Sequence, residues 1–315
     1  MAGSVALGID TSNYKTSVAA VDSDGCIVCN LQKYLDVKKG ERGLRQSVAL
    51  FQHVNNLPDL ITELFQQIGT SVPCCVAVSS RPRPVEGSYM PVFNAGVSAA
   101  EMIAAAINVP CYKFSHQEGH IEAVRHNSPI AKAERFISFH FSGGTTEALL
   151  VDHGSISIIG GTKDIAFGQL IDRLGVASGM DFPAGAEMDS IAIACREPAP
   201  KDVLPPIKVI KGYFNLSGIE TSALRSLDDV PRDVLIKALF DRIGETIVKT
   251  VRQTAEEYDI DKFLFAGGVS SSDYIRNYIN DAKTLKNIKI CFGDPALSTD
   301  NAAGTAYLGG KMIWR

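Results

Sequence analysis

The sequence predicts a two-lobed α/β protein in which one arrangement of strands and helices is built twice. Three observations carry that expectation. Strand-like and helical stretches run three strands, helix, strand, helix, and the same order then begins again near Phe136. At 315 residues the chain is too long for one small core and suits two lobes of ordinary size. A composition of 45% hydrophobic and 21% charged residues belongs to packed globular proteins rather than disordered ones.

In the first round, Val5 to Ile9, Ser17 to Val21 and Ile27 to Leu31 read as strands separated by Thr-Ser-Asn and Asp-Ser-Asp-Gly turns. Val48, Leu50, Phe51, Val54, Leu57, Leu60, Ile61 and Leu64 form the apolar stripe of a helix from about Gln46 to Gln67. Val76 to Ser79 is a buried strand, and the following Arg-Pro-Arg-Pro must be a loop. Val97 to Ile107 is helical, Cys111 to Phe114 a strand, and Ser115 the N-cap of a further helix. The second round has strands at Phe136 to Phe141, Thr146 to Val151 and Ser155 to Ile159. Helices follow at Phe167 to Val176 and Met188 to Ala194. Glu197 to Lys211 is Pro- and Lys-rich and reads as a loop. Pro231 to Tyr258 contains a long helix, Phe263 to Ala266 a strand and Asp273 to Ala282 a helix. The expected division is 1–134 with about 300–315 in one lobe and 135–299 in the other.

The bulk properties narrow the function. A formal net charge of −4 argues against a broad basic surface, so any RNA binding uses a local patch or a partner protein. Met1 to Asp10 lacks the cationic and long apolar regions of a signal peptide. No run approaches the roughly 18 apolar residues of a membrane span, and a cytoplasmic protein is expected. The seven cysteines are scattered, and Cys26 and Cys29 form a C-x-x-C without a second pair, which suits reduced thiols better than a metal or redox site.

Three strands, helix, strand, helix, told twice, resembles the actin, sugar-kinase and chaperone-ATPase superfamily, which holds nucleotide in the cleft between its lobes. Within such a fold, function has to be read from the sites.

His116 and His120 lie four apart in Ser-His-Gln-Glu-Gly-His, so both imidazoles face one side of the helix, where they could share a metal ion. Alone, that spacing fits two ordinary histidines equally well. Glu118 does not directly follow the first histidine, so the zinc-protease motif is absent. The hexapeptide resembles the His-Met-Glu-Gly-His metal motif of the tRNA threonylcarbamoyl-transferases, formerly called sialoglycoprotein endopeptidases. Thr299-Asp300-Asn301-Ala302-Ala303 is similar to that family's Thr-Asp-Asn-Ala-Ala, which implies Asp300 as the third protein ligand. Two imidazoles and a carboxylate suit iron or zinc.

A nucleotide constellation accompanies the metal motif. Ser142-Gly143-Gly144-Thr145 lies between two strands, where backbone amides could approach phosphate oxygens; it resembles the family's Ser-Gly-Gly-His, with Thr145 in the histidine's place. The stretch from Gly161 to Arg173 resembles the family segment ending in Phe-Asp-Lys, which implies that Asp172 meets the ribose. Phe182-Pro183-Ala184-Gly185 resembles Tyr-Pro-Gly-Gly, making Gly185 a nucleotide neighbour and Asp189 a further polar contact. Phe214 to Thr221 looks like Phe-Ser-Phe-Ser-Gly-Leu-Lys-Thr. Ala266-Gly267-Gly268-Val269-Ser270-Ser271-Ser272, following a strand and opening a helix, resembles Ala-Gly-Gly-Val-x-x-Asn, with Ser272 for the asparagine.

The N-terminal segment departs from the family. Gly8 to Ser17 resembles Gly-Ile-Glu-Thr-Ser-Cys-Asp-Glu-Thr, but the Asp-Glu pair that serves transfer there is Tyr14-Lys15 here. Asp10 and Lys15 are the candidate catalytic residues of this segment. An ammonium cannot replace a carboxylate as a base unless its pKa falls by several units. It could pair with a phosphate or polarise a carbamoyl oxygen, or be an exposed lysine at a strand end. The loop holding Arg81 and Arg83 stands where the family is glycine-rich.

The resemblance implies a metal-dependent carbamoyl transferase working on ATP, ADP, AMP or a carbamoyl-adenylate. The family's acceptor is the exocyclic amine of an adenosine beside the tRNA anticodon, and partner proteins assist. The replaced acids suit a divergent paralogue, and keep a nucleotide- and metal-binding scaffold or regulator as the alternative. A smaller-molecule or protein acceptor and a metallopeptidase are lesser readings. The family docks or dimerises through helices of its first lobe, which makes Gln46 to Gln67 a candidate surface for a paralogous subunit or a second copy.

Overall fold

The computed structural model describes residues 3–12, 14–37, 44–197, 203–294, 296–298 and 301–314. It separates into two compact units, Met1–Asn127 with Ala296–Arg315, and Ser128–Pro295.

In the first unit, β1 (Ser4–Asp10), β2 (Lys15–Asp22) and β3 (Ile27–Tyr34) form an antiparallel meander. β4 (Val72–Arg81) joins β1 in parallel and β5 (Cys111–Ser115) joins β4, giving the order β3-β2-β1-β4-β5. The pleat sends alternate side chains to opposite faces. Val5, Leu7, Ile9, Val18 and Ala20 pack on α1 (Gln46–Ile68) and α2 (Phe93–Ile107), against Leu57, Leu60, Leu64, Ala99 and Ala100. Ala6, Ala19 and Val21 take the other face, with Ala302, Ala303, Ala306 and Tyr307 at the start of α9 (Ala303–Ile313). α3 (His116–Arg125) lies against α9. Its start is fixed by the expected N-cap: Ser115 Oγ accepts from the Glu118 amide, and Glu118 accepts from the Ser115 amide.

The second unit repeats the plan. β6 (Arg135–Phe141), β7 (Thr146–Asp152) and β8 (Ser155–Thr162) are an antiparallel meander. β10 (Lys262–Ala266) lies parallel to β6, β11 (Lys289–Phe292) to β10, and the short β9 (Tyr213–Phe214) to β8. Helices α4 (Phe167–Ala177), α5 (Gly185–Ala194), α6 (Ser217–Arg225), α7 (Arg232–Tyr258) and α8 (Asp273–Asn280) supply the core. Leu235, Leu239, Ile243, Ile247 and Val251 form the buried stripe of α7 at spacing four. Phe139 packs at 4.9 Å between ring centroids on Phe265 and 5.9 Å on Phe263.

The sequence did not reveal β9, α6, β11 or α9. The expected helix from Asp273 ends at Asn280 rather than Ala282, and residues 198–202 of the Pro- and Lys-rich stretch lie outside the described residues.

Two glycines let α3 approach α9: a Cβ on Gly304 would overlap the carbonyl oxygen of Gly119. Gly304→Ala is therefore expected to cost about 1–3 kcal/mol through overpacking, lowering the melting temperature by several degrees. Gly218→Ala on α6, where a Cβ meets nothing within 4 Å, is the control and is expected to be neutral or slightly stabilising in the same thermal melt.

Candidate functional site

The two histidines converge as their spacing requires. His116 and His120 approach Nε2 to Nε2 at 2.8 Å, with the rings nearly perpendicular at 81°. Behind them, His116 Nδ1 lies 3.0 Å from Asp10 Oδ2. A carboxylate can only accept, so Nδ1 carries the proton and the Nε2 lone pair is turned toward His120. That is how a carboxylate fixes the tautomer of a metal-binding histidine. Asp10 is 1% exposed and also accepts from Ser12 Oγ at 3.0 Å. Its second oxygen, Oδ1, has no hydrogen-bond partner among the described residues. Asp10 thus stands behind the histidines as their orienting group, a relation the sequence did not disclose because 106 positions separate it from His116.

The third expected ligand, Asp300, lies outside the described residues, as does Thr299. Among the described residues no group of three or more metal-binding side chains forms. The donor chemistry of the pair still fits a metal: two imidazole nitrogens meet at one point, with one tautomer set from behind.

Lys15 is not the exposed strand-end lysine that its position also allowed. It is 7% exposed, its Nζ donates to Gln32 Oε1 at 3.1 Å, and it sits 4.8 Å from the centroid of the Tyr34 ring. Tyr14 beside it is 41% exposed. Arg81 lies 3.8 Å from Glu118.

The second unit holds a cavity of about 510 Å³. Gly143, Asp172, Gly185, Asp189, Gly268 and Ser272 line it, together with Ile171 and Phe240, which the sequence did not single out. Ser142 and Thr145 close the glycine turn: the Ser142 amide donates to the Thr145 carbonyl at 2.8 Å, and the Thr145 amide to Ser142 Oγ at 3.1 Å. Gly143 and Gly144 at its tip are exposed. Gly168 presses on this turn from α4; a Cβ there would lie 2.5 Å from Gly143 Cα and 2.7 Å from the Ser142 carbonyl oxygen. Gly267 has φ +93°, and a Cβ there would overlap the Phe141 carbonyl. The glycine pair 267–268 leads into a short 3₁₀ turn, Gly268–Ser271, and not directly into α8.

Two carboxylates of this pocket differ in role. Asp189 caps α8, accepting from Ser272 Oγ and from the amides of Asp273 at 3.0 Å and Tyr274 at 3.2 Å. Ser272 is the N-cap of that helix, accepting from the Ile275 amide at 3.1 Å. Asp172 Oδ1 accepts from the Ala184 amide at 2.9 Å. Burial pushes the Asp172 carboxyl above the ordinary carboxylate range, against the pull of the Ala184 and Gly185 amides. A further carboxylate, Asp164, was not foreseen as a fixture. Burial opposes its ionisation, but the amides of Leu216, Ser217 and Ile165 outweigh this and hold it low, tying the β8–α4 loop to the start of α6.

A family model for tRNA N6-adenosine threonylcarbamoyltransferase matches residues 28–307. The chain belongs to this family. Among curated relatives called tRNA N6-adenosine threonylcarbamoyltransferase, that of Thermosipho africanus is 28% identical over 317 residues, covering 98% of this chain and 94% of the relative. That of Bacillus subtilis is 28% identical over 316 residues, covering 96% and 89%. Solved structures share the fold. HypF of T. kodakarensis superposes with a TM-score of 0.66 at 11% identity over 99% of this chain, which spans 48% of that protein's length. The ADPNP-bound activator of the 2-hydroxyisocaproyl-CoA dehydratase from Clostridium difficile gives 0.55 at 13% identity, covering 98% of this chain and 95% of that one. The ROK hexokinase of Thermus thermophilus gives 0.53 at 12%, covering 98% and 99%. The expected actin- and sugar-kinase-type fold is therefore the fold of this threonylcarbamoyltransferase-family chain.

Lowering the pH through the raised pKa of Asp172 protonates its carboxyl, so if a nucleotide hydroxyl is bound by this carboxylate the anionic acceptor is lost. AMP affinity is expected to fall on acidification at a higher pH than an ordinary carboxylate would cause, and Asp172→Asn should abolish that step. Isothermal titration of AMP from about pH 7 to about pH 4 checks both.

Proposed function

We propose that this chain transfers a threonylcarbamoyl-type group from an adenylate to the exocyclic amine of an adenosine in tRNA. Family membership over residues 28–307 is the observation that carries this reading. A new C–N bond forms at the acceptor amine, the carbamoyl carbon's bond to the AMP phosphate oxygen breaks, and the amine gives up a proton. His116, His120 and Asp300 would hold one iron or zinc ion, which when bound polarises an oxygen of the donor. Asp10 keeps His116 in the tautomer such binding needs. The Gly143–Gly144 turn, Asp172, Gly185 and Gly268 would hold the adenosine nucleotide, supported by the pocket they line or flank.

No described helix is long and apolar enough to cross a membrane, and we place the chain in the cytoplasm. The exposed Phe51, Val54 and Met102 on α1 and α2 support pairing with a second subunit through that face. The metallopeptidase reading has least support, because Glu118 is taken up by the capping box and by Arg81. Tyr14 and Lys15 favour a second reading, a nucleotide- and metal-binding regulator without transfer.

The two readings separate in one assay. Metal-loaded protein is incubated with threonylcarbamoyl-adenylate and unmodified tRNA, with and without partner proteins, while modified nucleoside and AMP are followed by mass spectrometry. Modified adenosine that disappears in His116→Ala is the expected result. AMP release without tRNA modification would point to another acceptor. Nucleotide binding without either product would favour the regulator.

A further inference from the structure

Cys74 and Cys75 are neighbours on β4, where a regular pleat would send them to opposite faces. The pairing with β1 slips at this point. Val5 lies opposite Pro73 and Ala6 opposite Cys75, which leaves Cys74 as the extra residue of a β-bulge. Cys75 belongs to the apolar cluster of Ala6, Ala303, Ala306 and Tyr307, and Cys74 packs against that same cluster. Val76 and Val78 take the other face, toward α1 and α2. The bulge thus brings two thiols to one side of the sheet, where their sulfurs are hydrogen-bonded to each other.

The two sulfurs differ in their surroundings. Cys75 is fully buried, and α9 lies over it: a Cβ on Gly309 would come within 3.3 Å of Cys75 Sγ. Cys74 is only partly buried, so it is the sulfur that a small solute can reach. Burial penalises the charged form of a thiol. The enclosed Cys75 therefore keeps its proton and donates it, and Cys74 takes the negative charge. The hydrogen bond from Cys75, helped by the Ser4 side chain and by backbone amides, outweighs partial burial and pulls the Cys74 thiol down to about 6. The thiolate is the reactive form of cysteine, and an accessible thiolate beside a second thiol is the arrangement of a redox-responsive pair.

We propose that Cys74 and Cys75 form a reversible oxidation site whose oxidant is hydrogen peroxide. The Cys74 thiolate attacks one peroxide oxygen and the O–O bond breaks. The departing hydroxide takes up a proton to become water, and Cys74 is left as a sulfenic acid. The Cys75 sulfur then attacks Cys74 Sγ, an S–S bond forms and the S–O bond breaks. The hydroxyl leaves with the Cys75 proton as a second water. Across both steps the two thiols lose two electrons and one peroxide gains them. Adjacent Cα atoms are about 3.8 Å apart, short of the roughly 4.4–6.8 Å usual across a disulfide. The product is accordingly strained and readily returned to the dithiol by a small reducing thiol. This chemistry is independent of the transferase reading.

The test treats the reduced full chain with increasing hydrogen peroxide, blocks the remaining free thiols, digests without reduction and maps the peptides by mass spectrometry. In wild type, the peptide holding Cys74 and Cys75 is expected to lose two hydrogens and resist blocking, and dithiothreitol should reverse both changes. This should happen at lower peroxide than any oxidation of Cys26, although Cys26 is the exposed thiol. Cys74→Ser should abolish the product. Cys75→Ser should stop the reaction at the Cys74 sulfenic acid, which dimedone captures. Thermal melts check that both variants fold, and the wild-type map decides alone should either fail. Cys74 and Cys75 both still open to blocking after Cys26 has been oxidised would overturn the inference. So would sulfinic or sulfonic acid on Cys74 without the disulfide, or a disulfide that joins either cysteine to a different one.

Discussion

A buried carboxylate at the end of a central strand organises the first unit's site. Asp10 is 1% exposed, and an isolated charge there would be costly. His116 Nδ1 and Ser12 Oγ offset that cost by giving it two hydrogen bonds. The same contacts dictate where α3 must begin, since His116 is its first residue and Ser115 its cap. One turn later His120 meets His116, and α9 can come close enough to support α3 only because Gly119 and Gly304 lack side chains. The strand, the cap, the histidine pair and the glycine crossing therefore form one mutually dependent arrangement. An Asp10 substitution should be felt first at the histidines, not in the apolar core.

The second unit solves a different problem, that of bringing backbone segments close together around a cavity. Its glycines matter through where they sit. Gly168 lets α4 touch the Ser142–Thr145 turn, and Gly267 takes a left-handed conformation beside Phe141. The carboxylates around the pocket are divided between holding structure and facing the cavity. Asp189 fastens α5 to α8 and Asp164 fastens the β8–α4 loop to α6, whereas Asp172 uses one oxygen on backbone amides at the pocket wall. Substitution of Asp189 would therefore unseat the start of α8 as well as reshape the cavity wall.

Much of this was legible from sequence because local signals are strong. The Ser115-x-x-Glu118 capping box, the spacing of His116 and His120, the apolar stripe of α1 and the Gly-Gly turn each lie within a few residues. α9 escaped notice because Ala303 to Ile313 has three glycines and is apolar apart from Thr305 and Lys311, so it offers little amphipathic pattern to read. β9 has only two residues and takes its register from β8, a long-range partner. The Asp10–His116 bond, the enclosure of Lys15 under Tyr34 and the capping of α8 by Asp189 all join distant segments. None could be read without the tertiary fold, and the first and last give Asp10 and Asp189 structural partners that sequence alone did not suggest.

The claim that Asp10 sets the tautomer and orientation of the histidine pair is most directly tested by metal affinity. Zinc and iron(II) binding would be measured by chelator competition on wild type and Asp10→Asn, with His116→Ala, His120→Ala as the reference for a lost site. The account predicts one bound metal per wild-type chain, and an affinity about 10–100-fold lower in Asp10→Asn, the usual range when such an outer partner is removed. Equal affinity in wild type and Asp10→Asn, with both folded, would contradict it. So would metal binding that survives loss of both histidines.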